Sequence, residues 1–131
     1  MLMNPSDYVA LAKAKVKECA VTDAQDCAST GTMLVDIREL NEYQRGHIPG
    51  AVYAPRGLLE FEIHRLVAER HPDQQSAPEE RAIVLYCGTG GRSALAAKTL
   101  MDLGYRNVRS MAGGIVAWNA AGLPVEVPRQ A

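Results

Sequence analysis

The stretch that decides the fold of this chain is Cys87-Gly88-Thr89-Gly90-Gly91-Arg92-Ser93. The apolar run at residues 82–86 precedes it, and residues 94–101 follow it as a helix-forming run. This order predicts a strand, a glycine-rich turn and a helix, with a cysteine where the strand ends. Such a turn aims backbone N–H groups and a helix N-terminus at one point. We therefore expect Cys87 to be a nucleophile with a depressed pKa, rather than one more buried core cysteine.

Composition and charge exclude several classes of function. The chain has 131 residues, the length of one domain, and a formal net charge of −1. A domain of this size buries roughly two-thirds of its unfolded surface, so it needs no metal or disulfide for stability. Because there is no basic excess, we expect neither a nucleic-acid partner nor binding to an anionic membrane surface.

The cysteines and histidines argue against a disulfide scaffold and a metal site. The cysteine count is odd, no Cys-x-x-Cys pair occurs, and no histidine stands in metal-ligand spacing. We therefore expect no metal, no cofactor and a reducing compartment. Lys13, Lys15 and Lys17 interrupt the apolar residues near the N-terminus, and no run approaches the roughly 20 apolar residues that span a bilayer. These features predict a cytoplasmic protein.

Two helices are predicted before the first strand. Ser6 is the expected N-cap of a helix over about residues 7–18. Thr22 opens a capping-box pattern, which predicts a second short helix that Gly31 ends. Cys19 and Cys27 would be small apolar residues of these two elements.

Strands and helices alternate along the rest of the chain. Strands are predicted at residues 33–37, 51–53, 82–86 and 107–111. Helices are predicted at about residues 39–45, 58–69 and 115–121, besides the one that begins near Arg92 and stops at Gly104, with a loop at residues 71–80 and a loosely held tail to Ala131. This alternation predicts an α/β domain with a mainly parallel sheet, in which ligands bind at the carboxyl ends of strands. Cys87 falls at one such end.

The loop residues have separate chemical capacities. Gly88, Gly90 and Gly91 allow a tightly curled main chain that aims N–H donors at the Cys87 sulfur. Arg92 keeps its charge and either buttresses the loop or binds an oxyanion. The hydroxyls of Thr89 and Ser93 are further donors. Together these groups would stabilise a thiolate, or a persulfide, without a histidine base.

These motifs together resemble the rhodanese sulfurtransferase family. The resemblance covers about residues 21–124 and rests on five strings: Val35-Asp36-Ile37-Arg38, Gly46-His47-Ile48-Pro49-Gly50-Ala51, Pro55-Arg56-Gly57, the loop from Cys87 to Ser93, and Gly113-Gly114 with Trp118 and Gly122-Leu123-Pro124. It implies a single rhodanese-like domain over residues 1–131, with a helical extension at about residues 6–19. The implied fold is α/β, a parallel five-stranded sheet flanked by helices on both faces.

The resemblance also implies an activity. The Cys87 thiolate would attack the outer sulfur of thiosulfate or of a persulfide and keep that sulfur as a cysteine persulfide. A small-molecule acceptor, either cyanide or a thiol, would then take the sulfur, and a protein acceptor is a further possibility. The N–H groups from Gly88 to Arg92 would stabilise the thiolate and the persulfide.

Two other functions stay open. Four residues separate Cys87 from Arg92, whereas the related cell-cycle phosphatases have one more and so a wider cradle for phosphate. The tighter loop favours a single sulfur over phosphate or arsenate chemistry. A non-catalytic binding module is the third reading, although such modules often lack the cysteine. The family often has a charged or polar residue where this chain has Gly88, so the sulfur donor stays open.

Most of the remaining positions in these motifs have two possible roles. Asp36 and Arg38 end a predicted strand at the same sheet edge as the loop, so they either shape the pocket or form a structural pair. Arg56 either reaches an anionic substrate or is an exposed loop arginine. We expect His47 to be structural rather than a general base, and Trp118 to lie in the core.

Overall fold

A computed structural model gives the structure of residues 1–70 and 77–128, built on one parallel sheet. Its five strands lie in the order β1-β5-β4-β2-β3, and every neighbouring pair is parallel. The strands are β1 (Lys17–Cys19), β2 (Met33–Asp36), β3 (Val52–Tyr53), β4 (Ile83–Tyr86) and β5 (Val108–Met111). The α-helices are α1 (Pro5–Lys13), α2 (Val21–Gln25), α3 (Cys27–Thr30), α4 (Leu40–Arg45), α5 (Leu59–Arg70), α6 (Gly91–Leu103) and α7 (Gly114–Ala120).

The central strands are buried on both faces, which explains their nearly continuous apolar sequence. All four residues of β2 and all four of β4 are buried. Residues of α1, α5 and α6 form the apolar layer on one face, and residues of α2, α3 and α7 form the layer on the other. The predicted α/β fold with helices on both faces is therefore confirmed.

The first predicted helix is wrong at both ends. Helix α1 starts on Asn4, whose side chain accepts a hydrogen bond from the Ser6 N–H at 2.8 Å, so Ser6 is not its cap. The helix ends at Lys13, and Lys17–Cys19 form β1, paired with β5. Cys19 therefore lies in an edge strand, which is the fifth strand that the sequence pattern did not locate. A three-residue strand takes its hydrogen bonds from its neighbour, so its own sequence carries little signal.

The next helical stretch also begins earlier than predicted. The cap lies at Ala20, whose N–H donates to the Asp23 carboxylate at 3.1 Å, and not at Thr22. Two short helices follow, and Gly31 ends the second with a positive φ of 75°, as predicted. The cap is misplaced because the side chain that reaches back is Asp23, a residue that the capping-box pattern did not use.

The other predicted elements agree with the structure to within one residue, and Gly104 ends α6 as expected. Residues 71–76 of the predicted loop lie outside the described residues, and Pro78–Glu80 form a short 3₁₀ helix. The expected loose tail is wrong at Glu126, which pairs with His47 through two backbone hydrogen bonds of 2.9 Å. This pairing is an isolated antiparallel bridge between residues far apart in the sequence, so local sequence patterns do not indicate it. Residues 129–131 of that tail lie outside the described residues.

Two features are absent from residues 1–70 and 77–128. None of their helices is long and apolar enough to cross a membrane. No group of three or more histidine, cysteine, aspartate or glutamate side chains within residues 1–70 and 77–128 could hold a metal ion.

Candidate active site

Cys87 lies directly after β4, at the carboxyl edge of the sheet where the sequence placed it. It is 1% exposed. The chain then curls through Gly90, which has a φ of 103° and forms the N-cap of α6. A Cβ at Gly90 would approach the backbone nitrogen of Gly113 to 3.2 Å, so both the turn and the close packing require glycine there.

The Cys87 sulfur sits in a cradle of hydrogen-bond donors. The Gly90 N–H donates to Sγ at 3.1 Å and the Ser93 N–H at 3.3 Å, while the Ser93 hydroxyl oxygen lies 3.5 Å from the sulfur. Burial raises the pKa of the thiol, but hydrogen bonds from the Ser93 side chain and from the backbone of Ser93, Gly90 and Thr89 outweigh it. The net effect holds the pKa of Cys87 below its ordinary value, as the sequence predicted.

Arg92 braces the loop through an acid that the sequence analysis missed. Its guanidinium donates two hydrogen bonds to the Glu42 carboxylate of α4, at 2.8 and 3.0 Å. The hydrogen bond from Arg92 lowers the pKa of Glu42 to about 2. Glu42 also accepts the Glu39 N–H at 3.1 Å, so it belongs to the cap of α4. The capping pattern of α4 was the sequence feature that could have singled out Glu42, but it does not indicate the contact with Arg92.

Gly88 gives the Arg92 side chain its place. A Cβ at Gly88 would lie 3.1 Å from a terminal nitrogen of Arg92. The Arg92 guanidinium therefore occupies the space that a side chain at position 88 would need, and it packs over the loop. The contact with Glu42 fits the bracing role that the sequence allowed for Arg92, and its oxyanion-binding role stays a prediction.

Helix α7 fastens the cradle from its other side. The Ile115 N–H donates to the Cys87 carbonyl at 2.9 Å, and the Val116 N–H donates to the Gly88 carbonyl at 3.1 Å. Gly114 has a φ of 58°, and a Cβ there would collide with these same two carbonyl groups. Only a glycine at position 114 therefore allows α7 to pack this closely against the loop.

Helix α1 also reaches the cradle. The Val9 side chain lies 3.7 Å from the position that a Cβ on Gly91 would occupy. The N-terminal helix thus packs against the first residue of α6, a contact that the sequence analysis did not assign to it.

Asp36 and Arg38 form a buried ion pair beneath the sheet edge. Arg38 donates to both carboxylate oxygens of Asp36, the shorter contact being 2.7 Å, and it also donates to the Gly46 carbonyl at 2.7 Å. The Tyr86 hydroxyl donates to Asp36 at 2.6 Å and accepts the Ile48 N–H at 3.0 Å. These contacts fix the turn at residues 46–48, so they favour the structural role over the pocket-shaping role.

Arg56 is exposed and begins a 3₁₀ helix, held by a hydrogen bond from its N–H to the Ile37 carbonyl at 2.9 Å. It lines a cleft of about 400 Å³ together with Arg92. Glu39 and Glu60 line the same cleft. Within the part of the chain that the structure describes, no ion pair joins Arg56 to a carboxylate.

His47 and Trp118 have structural surroundings. His47 is buried, stacks on Tyr43 with ring centroids 4.0 Å apart, and lies 3.2 Å from the Glu126 carboxylate. Trp118 is 3% exposed and donates its indole N–H to the Pro124 carbonyl at 2.8 Å. The core position predicted for Trp118 is confirmed.

Fold and site together define an α/β protein that holds one buried cysteine in a cradle of N–H donors at the edge of a parallel sheet. The family model described as the rhodanese-like domain matches residues 20–121. The chain belongs to this family.

Two curated relatives are sulfurtransferases. A sulfurtransferase of Allochromatium vinosum is 36% identical over 96 residues, covering 73% of this chain and 79% of that protein. The thiosulfate sulfurtransferase GlpE of Pseudoalteromonas translucida is 37% identical over 89 residues, covering 68% of this chain and 74% of that protein. These relatives support a rhodanese-type enzyme.

A solved structure of similar size has a different description. It is a Rhodopseudomonas palustris protein of unknown function, described as a possible tyrosine phosphatase. It is 34% identical, has a TM-score of 0.78 and shares 96% of each chain.

Proposed function

We propose that the protein transfers a sulfane sulfur from thiosulfate or a persulfide to cyanide or a thiol through a persulfide on Cys87. The observation that carries the proposal is the cradle, in which two N–H groups and one hydroxyl lie within 3.5 Å of Sγ. These donors stabilise a thiolate directly, so the sulfur needs no general base.

The first half-reaction makes the persulfide. The Cys87 thiolate attacks the outer sulfur of thiosulfate, a new S–S bond forms, and the old S–S bond breaks with its electron pair leaving on sulfite. A persulfide donor reacts in the same way and releases its thiolate. The negative charge moves to the terminal sulfur of the Cys87 persulfide, and the loop N–H groups, of which those of Gly90 and Ser93 already point at Sγ, stabilise it.

The second half-reaction returns the enzyme to its starting state. Cyanide or a thiolate attacks the terminal sulfur and takes it, and Cys87 leaves as a thiolate. The same donors that lower its pKa make Cys87 a good leaving group. The two half-reactions give ping-pong kinetics. A thiolate cycle requires free cysteine, which favours a reducing compartment such as the cytoplasm.

In the cleft that Arg56 and Arg92 line, an anionic donor would bind to Arg56 in the presence of two carboxylates, those of Glu39 and Glu60. Arg56 is the unpaired cation of this cleft among the described residues, since Arg92 is bound to Glu42. We propose that Arg56 binds the anionic end of the donor. Because Arg92 is held by Glu42 and Gly88 adds no side chain, the loop itself offers little extra positive charge, so either thiosulfate or a monoanionic persulfide fits this arrangement.

Phosphatase or arsenate chemistry on the same cradle is the second candidate, and the described relative of Rhodopseudomonas palustris favours it. The four-residue loop argues against it, because Gly90 and Ser93 already place their N–H groups against the sulfur atom itself.

Parallel turnover assays test the proposal. The wild-type protein should convert thiosulfate and cyanide to thiocyanate and sulfite, and it should leave an aryl phosphate intact. Cys87→Ser, a nearly isosteric change, should abolish transfer with an unchanged melting temperature, whereas Cys27→Ala should retain it. Aryl phosphate hydrolysis without sulfur transfer would replace this proposal with the phosphatase, and a Cys87→Ser variant that still transfers sulfur would refute it.

A further inference from the structure

Two buried hydroxyls form a hydrogen-bonded chain that ends at the Cys87 sulfur. Ser93 of α6 lies 3.5 Å from Sγ, and Ser110 of β5 lies 2.7 Å from Ser93, measured between the hydroxyl oxygens. Both serines are fully buried, at 0% exposure. Ser110 was not part of any motif in the sequence, and it does not contact the sulfur.

The hydrogen-bond inventory fixes the direction of this pair. The Cys87 thiol donates to the Ser93 hydroxyl oxygen, and the Ser93 hydroxyl donates to the Gly90 carbonyl at 3.3 Å. Once Cys87 has lost its proton, its sulfur becomes a second acceptor for the Ser93 proton, and this hydrogen bond lowers the pKa of the thiol. Among the described residues, Ser93 is the hydrogen-bond partner of the Ser110 hydroxyl. Both protons are used only when Ser110 donates to Ser93 and Ser93 donates onward, because the opposite direction would bury an unpaired hydroxyl proton.

We propose that Ser110 is a positioning residue for sulfur transfer: its hydroxyl donates to Ser93 and thereby keeps the Ser93 proton available to the Cys87 sulfur when Cys87 is a thiolate. This inference rests on the proposed function for its kinetic part only. The Ser93 proton stabilises Cys87 whenever it is a thiolate, which is as the nucleophile of the first half-reaction and as the leaving group of the second.

The charged groups around the sulfur act on Cys87 separately from the hydrogen bonds that join Ser110, Ser93 and Cys87. Arg92 of α6 faces Cys87, and Glu42 of α4 balances its charge. On β5, Arg109 acts on Cys19 and Cys27 rather than on Cys87. Helix α7 carries no charged residue and contributes backbone donors to the loop carbonyls, and from α1 the neighbour of the loop is the apolar Val9.

The test is the pH dependence of Cys87 alkylation by iodoacetamide in Ser110→Ala. The peptide that carries Cys87 is followed by mass, because the other two cysteines are also free. The midpoint should rise by about one pH unit, since roughly half of one charge-assisted hydrogen bond is lost. Ser110→Thr keeps the hydroxyl and should restore the wild-type midpoint.

A second readout separates the half-reactions. At a pH well above both midpoints, the acceptor kcat/KM of Ser110→Ala should fall about threefold, because a more basic thiolate leaves more slowly, while the donor kcat/KM should not fall. If the protein transfers no sulfur, this readout is lost and the proposed function fails. The alkylation midpoint still decides the role of Ser110 in that case.

Val108→Ala is the matched control. Val108 is buried on β5 two residues before Ser110, so both side chains are on the same face of the strand. This variant should be less stable with an unchanged midpoint. The proposal is overturned by a Ser110→Ala midpoint that stays constant or falls, by an equal rise in Val108→Ala, or by a Ser110→Thr variant that behaves like Ser110→Ala.

Discussion

At Cys87, burial and hydrogen bonding act on the thiolate in opposite directions. Removing the charge from water raises the pKa, but hydrogen bonds to a charged group contribute about 1.5–3 kcal/mol each, and the cradle supplies several. The hydrogen bonds outweigh burial, and the pKa of Cys87 falls below the ordinary value of a thiol. Cys19 shows the opposite outcome, because the charge of Arg109, rather than a set of hydrogen bonds, opposes burial there, and burial raises the pKa of the Cys19 thiol to about 11.

Glu42 provides a residue-scale prediction about stability. Its pKa is lowered from 4.5 to about 2 by the hydrogen bond from Arg92, so the folded state favours the charged carboxylate. The stabilisation is complete above about pH 4.5 and is lost as the pH falls towards about 2. Glu42→Gln should therefore lower the free energy of unfolding by about 1 kcal/mol at neutral pH. Urea denaturation at several pH values measures the difference between the two proteins.

Glu69→Gln is the control for that comparison. Glu69 pairs with Arg65 on the exposed face of α5, where both side chains are more than half exposed. Its loss should change stability by less than about 0.5 kcal/mol at every pH. A Glu42→Gln difference that persists unchanged at pH 2 would contradict the assigned role of Glu42.

At the scale of elements, we expect the packing of α7 against the Cys87 loop to matter both for stability and for the reactivity of Cys87. Gly114→Ala should lower the free energy of unfolding by more than about 2 kcal/mol, because it combines a strained positive φ with a collision against two carbonyl groups. It should also raise the alkylation midpoint of Cys87 by displacing the loop. Thermal unfolding and alkylation measure the two effects.

Gly31→Ala separates strain from collision. Gly31 also has a positive φ, of 75°, but a Cβ there would meet nothing within 4 Å. This variant should cost only about 1 kcal/mol and leave Cys87 unchanged. Equal losses in both variants would mean that the packing of α7 against the loop adds nothing.

The elements also show where sequence patterns are sufficient. The strand, turn and helix around Cys87 follow from glycines and apolar runs that act locally, and their bounds agree with the structure. The edge strand Lys17–Cys19 does not follow from them, because its partner is β5, far along the chain. The first predicted helix therefore extended wrongly into β1, because the conformation of that segment is set by its pairing with β5.

At the scale of the whole molecule, the sheet brings together residues that are distant in sequence. Arg92 meets Glu42 from 50 positions away, and Ser93 meets Ser110 from 17 positions away. The nucleophile and its loop could be predicted because they form one continuous motif. The residues that brace them could not, since each pair forms only when the strands align in register and their helices pack on the sheet.

The central claim is that Cys87 carries the sulfur, and intact mass spectrometry after incubation with thiosulfate tests it most directly. The protein should gain the mass of one sulfur atom, peptide mapping should locate it on Cys87, and cyanide should remove it. Cys87→Ser should gain nothing. An unmodified wild-type protein, or a sulfur found on Cys19 or Cys27 instead, would contradict the account.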